Sequence, residues 1–319
     1  MLPNPLLSAL QRAAEKYSVK DLKESALSVS KIYRTAHRFG QHLVVSRQDV
    51  LSYALTRMPA TFEVVTSVLS RIPSDCQTMI DVGAGTGAGA WAALAGGYVK
   101  NILCLEREPA MLDLGRSLLT EAYPEVEWSS FDLIGQEITQ KADVVLSSYV
   151  LNELADENRL QAVEKMWQAT KRYLIIIDNG TPDAFVMMKK IRSYLMGVGG
   201  FIVAPCSCLA ECPNSWCHFT SRVARTKMHK FLKEGQAPFE DEKFTYLIFS
   251  KKDERSSNAR ILRHPKIEKG KIGLQLCTSE GIEEKTVTKK DGNLFKKARK
   301  LNAGDTWVEI DNQVIKVWK

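Results

Sequence analysis

Apolar positions in the first seventy residues recur at helical spacing. Leu51, Tyr53, Ala54, Leu55, Phe62, Val65, Val68 and Leu69 follow this period on both sides of Pro59. Proline removes a backbone donor, so Pro59 predicts a break or a fresh helix start, with Thr61 near a capping position. Residues 1–70 therefore form an expected N-terminal helical region. The period then changes. Short apolar runs at 78–82, 101–105, 126–130, 142–147 and 173–178 predict strands, and the stretches 110–123 and 159–170 predict helices. Strand–helix alternation of this kind predicts a parallel, doubly wound α/β sheet. This domain is expected over 71–252, ending on a strand at 244–249 and including a cysteine-bearing loop at 204–219.

The alternation stops after Gly200. A polar stretch at 251–257 suggests a linker. Beyond it, short runs at 272–277, 284–288, 306–310 and 313–317 predict strands, with turns at Asp291-Gly292 and Asp311-Asn312. Residues 258–319 are thus expected to form a small β-rich C-terminal module. No apolar run approaches the ~20 residues of a membrane span, so no membrane partner is expected. The first residues show no charged stretch followed by an apolar one, and Glu15, Asp21 and Glu24 argue against a transit peptide. The expectation is a bacterial-type cytoplasmic monomer.

Composition adds one asymmetry. The chain has 319 residues, 45 % apolar, with a net charge of +7. The positive excess gathers late: Arg255, Arg260, Arg263, Lys266 and Lys271, then Lys285, Lys289, Lys290, Lys296, Lys297, Arg299 and Lys300 against Glu283, Glu284 and Asp291. Such runs suit a polyanion, because each neutralised phosphate releases counterions. They also suit a solvated lysine-rich surface.

The segment from Thr78 to Trp91 holds a strand, Asp81-Val82, and then Gly83, Gly85 and Gly87. Glycines there permit a tight turn and close approach of a ligand to the backbone. No P-loop lysine follows. Glu106 ends the next strand, where an acid suits ribose hydroxyls, which leaves a dinucleotide or another adenosine cofactor open. The arrangement resembles the class I S-adenosylmethionine-dependent methyltransferases. That resemblance implies a Rossmann-like fold with S-adenosylmethionine as cofactor. It implies that Asp81, Gly83, Gly85 and Gly87 hold the methionine and ribose side, that Glu106 binds the ribose, and that Asp132 and Leu133 flank the adenine.

The acceptor side is less marked. After the fourth strand the chain runs Leu146-Ser147-Ser148-Tyr149-Val150-Leu151-Asn152-Glu153-Leu154, without the Asn/Asp-Pro-Pro-aromatic pattern of base amino methylation. Asn152 and Glu153 are candidates to orient a substrate, and Asn152 equally to open the following helix. Pro205-Cys206 follows the fifth strand and not the fourth, so Cys206 is taken as a ligand and not a nucleophile. No catalytic residue is assigned.

Cys206, Cys208, Cys212 and Cys217 crowd one loop of a chain with seven cysteines, and Cys277 follows in the C-terminal module. Seven cysteines in a reducing compartment suggest thiols or metal ligands before disulfides. The Cys-x2-Cys knuckle of common zinc sites is missing. Thiolate softness allows zinc or an iron–sulfur cluster, and unpaired buried thiols are the plain alternative. The Cys-x3-Cys-x2-Cys signature of radical chemistry is absent. Ala204-Pro205-Cys206, Cys212-Pro213, Trp216-Cys217-His218-Phe219, Arg263-His264-Pro265, Leu276-Cys277-Thr278 and the run from Tyr53 to Thr61 resemble the methyltransferase-like family of the mitochondrial small ribosomal subunit and its bacterial relatives. The likeness covers about residues 50–300. It implies a [4Fe–4S] cluster on Cys206, Cys212, Cys217 and Cys277, with Cys208 outside the ligand set. Cys76 and Cys104 are expected core thiols, and His218 a packing or supporting residue.

Together these imply a protein that binds S-adenosylmethionine, carries a [4Fe–4S] cluster, and associates with small-subunit rRNA in ribosome assembly or translation. Methyl transfer is implied by the resemblance, with a non-catalytic assembly role left open. An active RNA methyltransferase and a zinc-containing small-molecule methyltransferase are the alternatives.

Overall fold

The computed structural model describes residues 2–35, 46–212, 216–254 and 259–307. The chain divides into two compact units: Met1–Asp178 with Ser221–Glu242, and Asn179–Thr220 with Lys243–Lys319. The cysteine loop thus falls in the unit that holds the C-terminal residues.

The first unit opens with helices α1 (Asn4–Ala14), α2 (Val19–Thr35) and α3 (Arg47–Leu69). Leu6, Ala9, Leu10 and Ala14 give α1 one buried stripe at three- and four-residue spacing. Ser46 caps α3, its hydroxyl accepting the Asp49 N–H at 3.0 Å. The expected break at Pro59 does not occur, and α3 runs straight through it. An interior proline costs about 3 kcal/mol. Met58, Pro59, Phe62, Val65 and Val68 are all buried, and their burial outweighs that cost. Thr61 lies inside the helix, its hydroxyl donating back to the Arg57 carbonyl at 3.4 Å.

The alternating region forms β1 (Thr78–Val82), α4 (Ala88–Ala95), β2 (Asn101–Glu106), α5 (Pro109–Leu119), β3 (Glu127–Ser130), β4 (Ala142–Ser148), α6 (Asp156–Ala169) and β5 (Thr170–Asn179). The strands are parallel in the order β3-β2-β1-β4-β5. Val82, Val145, Leu146, Leu174, Ile175 and Ile176 are buried, as a sheet covered on both faces requires. The order reverses between β1 and β4, which opens a crevice at their carboxyl ends. The unit also holds most of β7 (Phe219–Ala224), the short α8 (Lys227–Leu232) and the first residues of β8 (Phe239–Ser250).

The second unit contains α7 (Pro182–Gly197), capped by Thr181, and β6 (Phe201–Ala204) antiparallel to β8. Its other sheet uses β9 (Ala259–Ile261), β10 (Lys266–Glu268), β11 (Lys271–Thr278), β12 (Gly281–Thr288) and β13 (Thr306–Trp307), ordered β10-β11-β9-β13 with β12 on β11. Ile261, Ile272, Leu274, Leu276, Val287 and Trp307 form its core. The antiparallel C-terminal module is therefore present, with one correction. The turn at Asp291-Gly292 leads into a helix, α9 (Asn293–Ala298), where strands alone were expected. Leu294, Phe295 and Ala298 close over the sheet at helical spacing. The expected strand 313–317, the turn Asp311-Asn312, residues 308–310, Pro213 and part of the linker lie outside the described residues.

Gly180 packs against the start of the inner part of β8, where an added Cβ would lie 2.7 Å from Lys243 C and Phe244 N. Both contacts are backbone and cannot swing aside. We expect Gly180→Ala to cost about 1–3 kcal/mol of stability, read as a lower urea midpoint.

Candidate cofactor cleft and cysteine cavity

β1 ends at Val82, and Gly83, Gly85 and Gly87 then turn the chain with φ of 68°, 56° and 83°. A side chain on Gly83 would strike Val150 at 2.4 Å, whereas a Cβ on Gly85 meets nothing within 4 Å. Gly85 borders an open cleft, which Gly83, Glu106, Asp132 and Leu133 also line. Gly87 instead forms the start of α4. Both oxygens of Glu106 accept backbone N–H groups, from Gly85 at 2.6 Å and Glu108 at 2.8 Å. The carboxylate therefore braces the glycine loop and keeps further lone pairs for a ligand. Its pKa is raised, by burial first, with the two amides working against that.

Asp81 does not border the cleft. It lies fully buried behind the loop, with Oδ2 against Gly89. Neither oxygen has a hydrogen bond of normal geometry. Burial pushes its carboxyl up to about 7, the Ala90 amide offsetting only part. Asp132 and Leu133 stand on a loop that Lys165 of α6 secures. Lys165 is buried and donates to the carbonyls of Leu133, Ile134 and Gln136 at 3.1, 2.9 and 2.8 Å. Asp132 Oδ1 accepts the Ile134 N–H at 3.1 Å.

The far side of the cleft carries Tyr53, Tyr149 and Glu153. Tyr149 sits at φ 62°, a strained conformation for a bulky residue, and its buried hydroxyl has no partner. Burial, then the charge of Glu106, pushes the Glu153 carboxyl up to about 7. Burial raises the Tyr53 phenol to about 12. Behind them Arg57 and Glu242 form a two-pronged ion pair at 2.8 and 3.3 Å. Asn152 serves the fold, its amide donating to Asp178 Oδ1 at 2.8 Å.

In the second unit Cys206, Cys212, Cys217 and Cys277 line one cavity, walled by Phe185, Met188, Tyr246, Leu247, Leu262 and Ile282. Three of these cysteines come from the loop, and Cys277 from β11, where it pairs with Arg260 of β9 and Ile282 of β12. Cys208 is buried beside them against Leu262 and does not border the cavity. Burial pushes the Cys206 thiol up to about 12 and raises Cys217 as well. Among the described residues, no three His, Cys, Asp or Glu side chains are gathered as a single metal ion needs. Cys76 and Cys104 are buried core thiols. His218 stacks on Trp216, ring centroids 4.1 Å apart.

The basic stretches divide. Lys289, Lys290, Lys296, Lys297, Arg299 and Lys300 are exposed on and around α9. Arg260 is buried and Arg263 half-buried, so these two are not part of a polyanion-facing surface, contrary to the sequence expectation. Sequence reasoning also passed over Tyr149, Arg57, Glu242, Lys165 and Arg192. For the last pair a signal existed: Lys165 stands at the helical spacing of Ala162, Met166 and Ala169, and Arg192 at that of Met188 and Leu195, all buried. A long cation on a core-facing stripe must have buried acceptors.

Asp81 keeps its proton in the fold at pH values where the unfolded chain has lost it. Stability therefore falls as pH rises from about 4 to about 7. We expect Asp81→Asn to gain on the wild type across that window, by up to about 1.4 kcal/mol per pH unit, measured by urea unfolding at fixed pH values.

Human mitochondrial ribosome assembly protein METTL17 is 27 % identical over 342 residues, covering 93 % of this chain and 72 % of that protein. Among solved structures, the magnesium protoporphyrin IX methyltransferase of Synechocystis PCC 6803 with bound SAH is 14 % identical with a TM-score of 0.42, over 72 % of this chain and 95 % of that one. The N-methyltransferase NodS of Bradyrhizobium japonicum with S-adenosyl-l-homocysteine is 10 % identical with a TM-score of 0.42, over 62 % and 89 %. Residues 47–308 match the family described as mitochondrial small ribosomal subunit Rsm22. The match spans most of the sequence, and the chain belongs to that family.

Proposed function

We propose that this protein binds S-adenosylmethionine in the cleft, holds a [4Fe–4S] cluster in the cysteine cavity, and associates with small-subunit rRNA in support of ribosome assembly or translation. The observation that carries the reading is the gathering of Cys206, Cys212, Cys217 and Cys277 around one apolar cavity in a member of this family. The human relative named as a ribosome assembly protein supports the ribosomal role.

The donor set suits the cluster. Four soft thiols with apolar walls and no carboxylate match iron–sulfur ligation. The Cys-x2-Cys knuckle of common zinc sites is missing from the loop, which favours the cluster over zinc. In the cleft, Gly83 and Gly85 leave room for close approach to the backbone, and Glu106 offers free lone pairs to ribose hydroxyls. When bound, the cofactor supplies a methyl group on a sulfonium. The chain's part is to hold an acceptor in line with it. Tyr149, strained and with an unpartnered hydroxyl, and Glu153 favour a second reading in which methyl transfer to RNA occurs. The exposed lysines of α9 supply cations for phosphate contacts.

We expect Gly85→Val to weaken S-adenosylhomocysteine binding at least about tenfold in calorimetry while iron content stays at the wild-type level. Unchanged affinity would discredit the cleft assignment. We expect Cys277→Ser to lose most iron and inorganic sulfide, and to co-sediment less with small subunits than the wild type. A wild-type protein without sulfide would refute the cluster, and one that never sediments with small subunits would refute the ribosomal role. Labelled methyl appearing in small-subunit rRNA would decide for the second reading.

A further inference from the structure

The described part of the loop from Pro205 to His218 has no helix or strand, so its buried carbonyls need donors from elsewhere. Three arginines of the same unit supply them. Arg260 donates from Nε to Pro205 O at 3.2 Å, just before Cys206. Arg192 donates from Nη2 to Cys208 O at 2.6 Å and Ala210 O at 3.1 Å. Arg263 donates to Trp216 O at 3.0 Å and His218 O at 3.3 Å, on either side of Cys217. The loop cysteines are thus carried on a frame of fixed cations.

Arg192 stands apart within this frame. It is 5 % exposed, and its two hydrogen bonds go to carbonyls and to no carboxylate. Its Nε is buried without a hydrogen bond of normal geometry, and the guanidinium already interacts with the Cys206 thiol. The side chain lines the cysteine cavity, beside the Cys206 thiol. A buried guanidinium with an idle donor is costly unless an anion completes it.

We propose that Arg192 is the charge partner of the group in the cysteine cavity: Nη2 fixes the loop, while Nε–H donates to the Cys206 sulfur once that sulfur is a thiolate ligand. The inference rests on the [4Fe–4S] reading above. Four thiolates leave such a cluster with net negative charge, and one-electron reduction makes it more negative. A fixed cation and an N–H donor favour the reduced form and raise the reduction potential. Arg192 is therefore a positioning residue that tunes the cluster, and not a ligand.

The test is a redox titration, followed by EPR, of anaerobically purified full-length protein as wild type, Arg192→Met, Arg192→Gln and Arg192→Lys, with iron and sulfide measured for each. The two neutral variants are expected to show a lower midpoint potential per cluster and an altered EPR signal, and Arg192→Lys to recover most of the potential. A neutral variant that keeps its cluster at the wild-type potential would overturn the proposal. If both neutral variants lose the cluster, retention is the readout. Iron kept by Arg192→Lys supports a need for charge, and equal loss in Arg192→Lys overturns it in favour of a loop clamp alone. Wild-type protein lacking iron and sulfide would bring down the cluster reading itself, and this inference with it.

Discussion

In the glycine loop the amides of Gly85 and Glu108 end on a single carboxylate, Glu106. In the loop after β3 three carbonyls end on a single ammonium, Lys165. In the cysteine loop the carbonyls of Pro205, Cys208, Ala210, Trp216 and His218 end on three guanidinium groups. The same constraint operates each time. Backbone outside helices and strands keeps its polar groups, and burying them unpaired costs about 1–3 kcal/mol each. Both candidate sites are built from such backbone, so charged side chains, all but Arg263 from a helix or strand, fix the shape of each.

The two sites use opposite electrostatics. The cleft is bordered by Glu106 and Glu153, with Asp81 buried behind its loop, and burial raises the pKa of all three. The cysteine cavity has apolar walls and cationic supports. There neutral thiols are comfortable, and thiolates need either the arginines or a bound metal to offset the loss of water. The acid-bordered cleft and the cation-supported cavity fall in different compact units.

Much of the first unit was legible in the sequence because its signals are local. Strands β1, β2, β4 and β5 are short apolar runs, and Gly83, Gly85 and Gly87 mark a turn that few other residues can make. Glu106 was legible as an acid at a strand end, though its role as a brace was not. Pro59 misled because the cost of a proline is local while the burial that offsets it is tertiary. The stretch at α9 misled for a related reason: its lysines hide a short apolar stripe that makes sense only against the core of the C-terminal sheet. Arg260 and Arg263 were counted with surface charge because charge in a sequence carries no depth.

The sequence by itself determined the alternation that yields the parallel sheet, the glycine turn at its crevice, the residue types of the cysteine set and the family. These depend on period, spacing and side-chain chemistry, which are properties of neighbouring residues. The family resemblance had already grouped Cys277 with Cys206, Cys212 and Cys217 and left Cys208 out; tertiary structure alone decided that Asp81 lies behind the cleft while Tyr149 and Glu153 face it, and that Arg192 supports the cysteine cavity. Those outcomes depend on which distant segments pack together and on how deeply each charge is buried. Both are set by competition for one core and cannot be read one segment at a time.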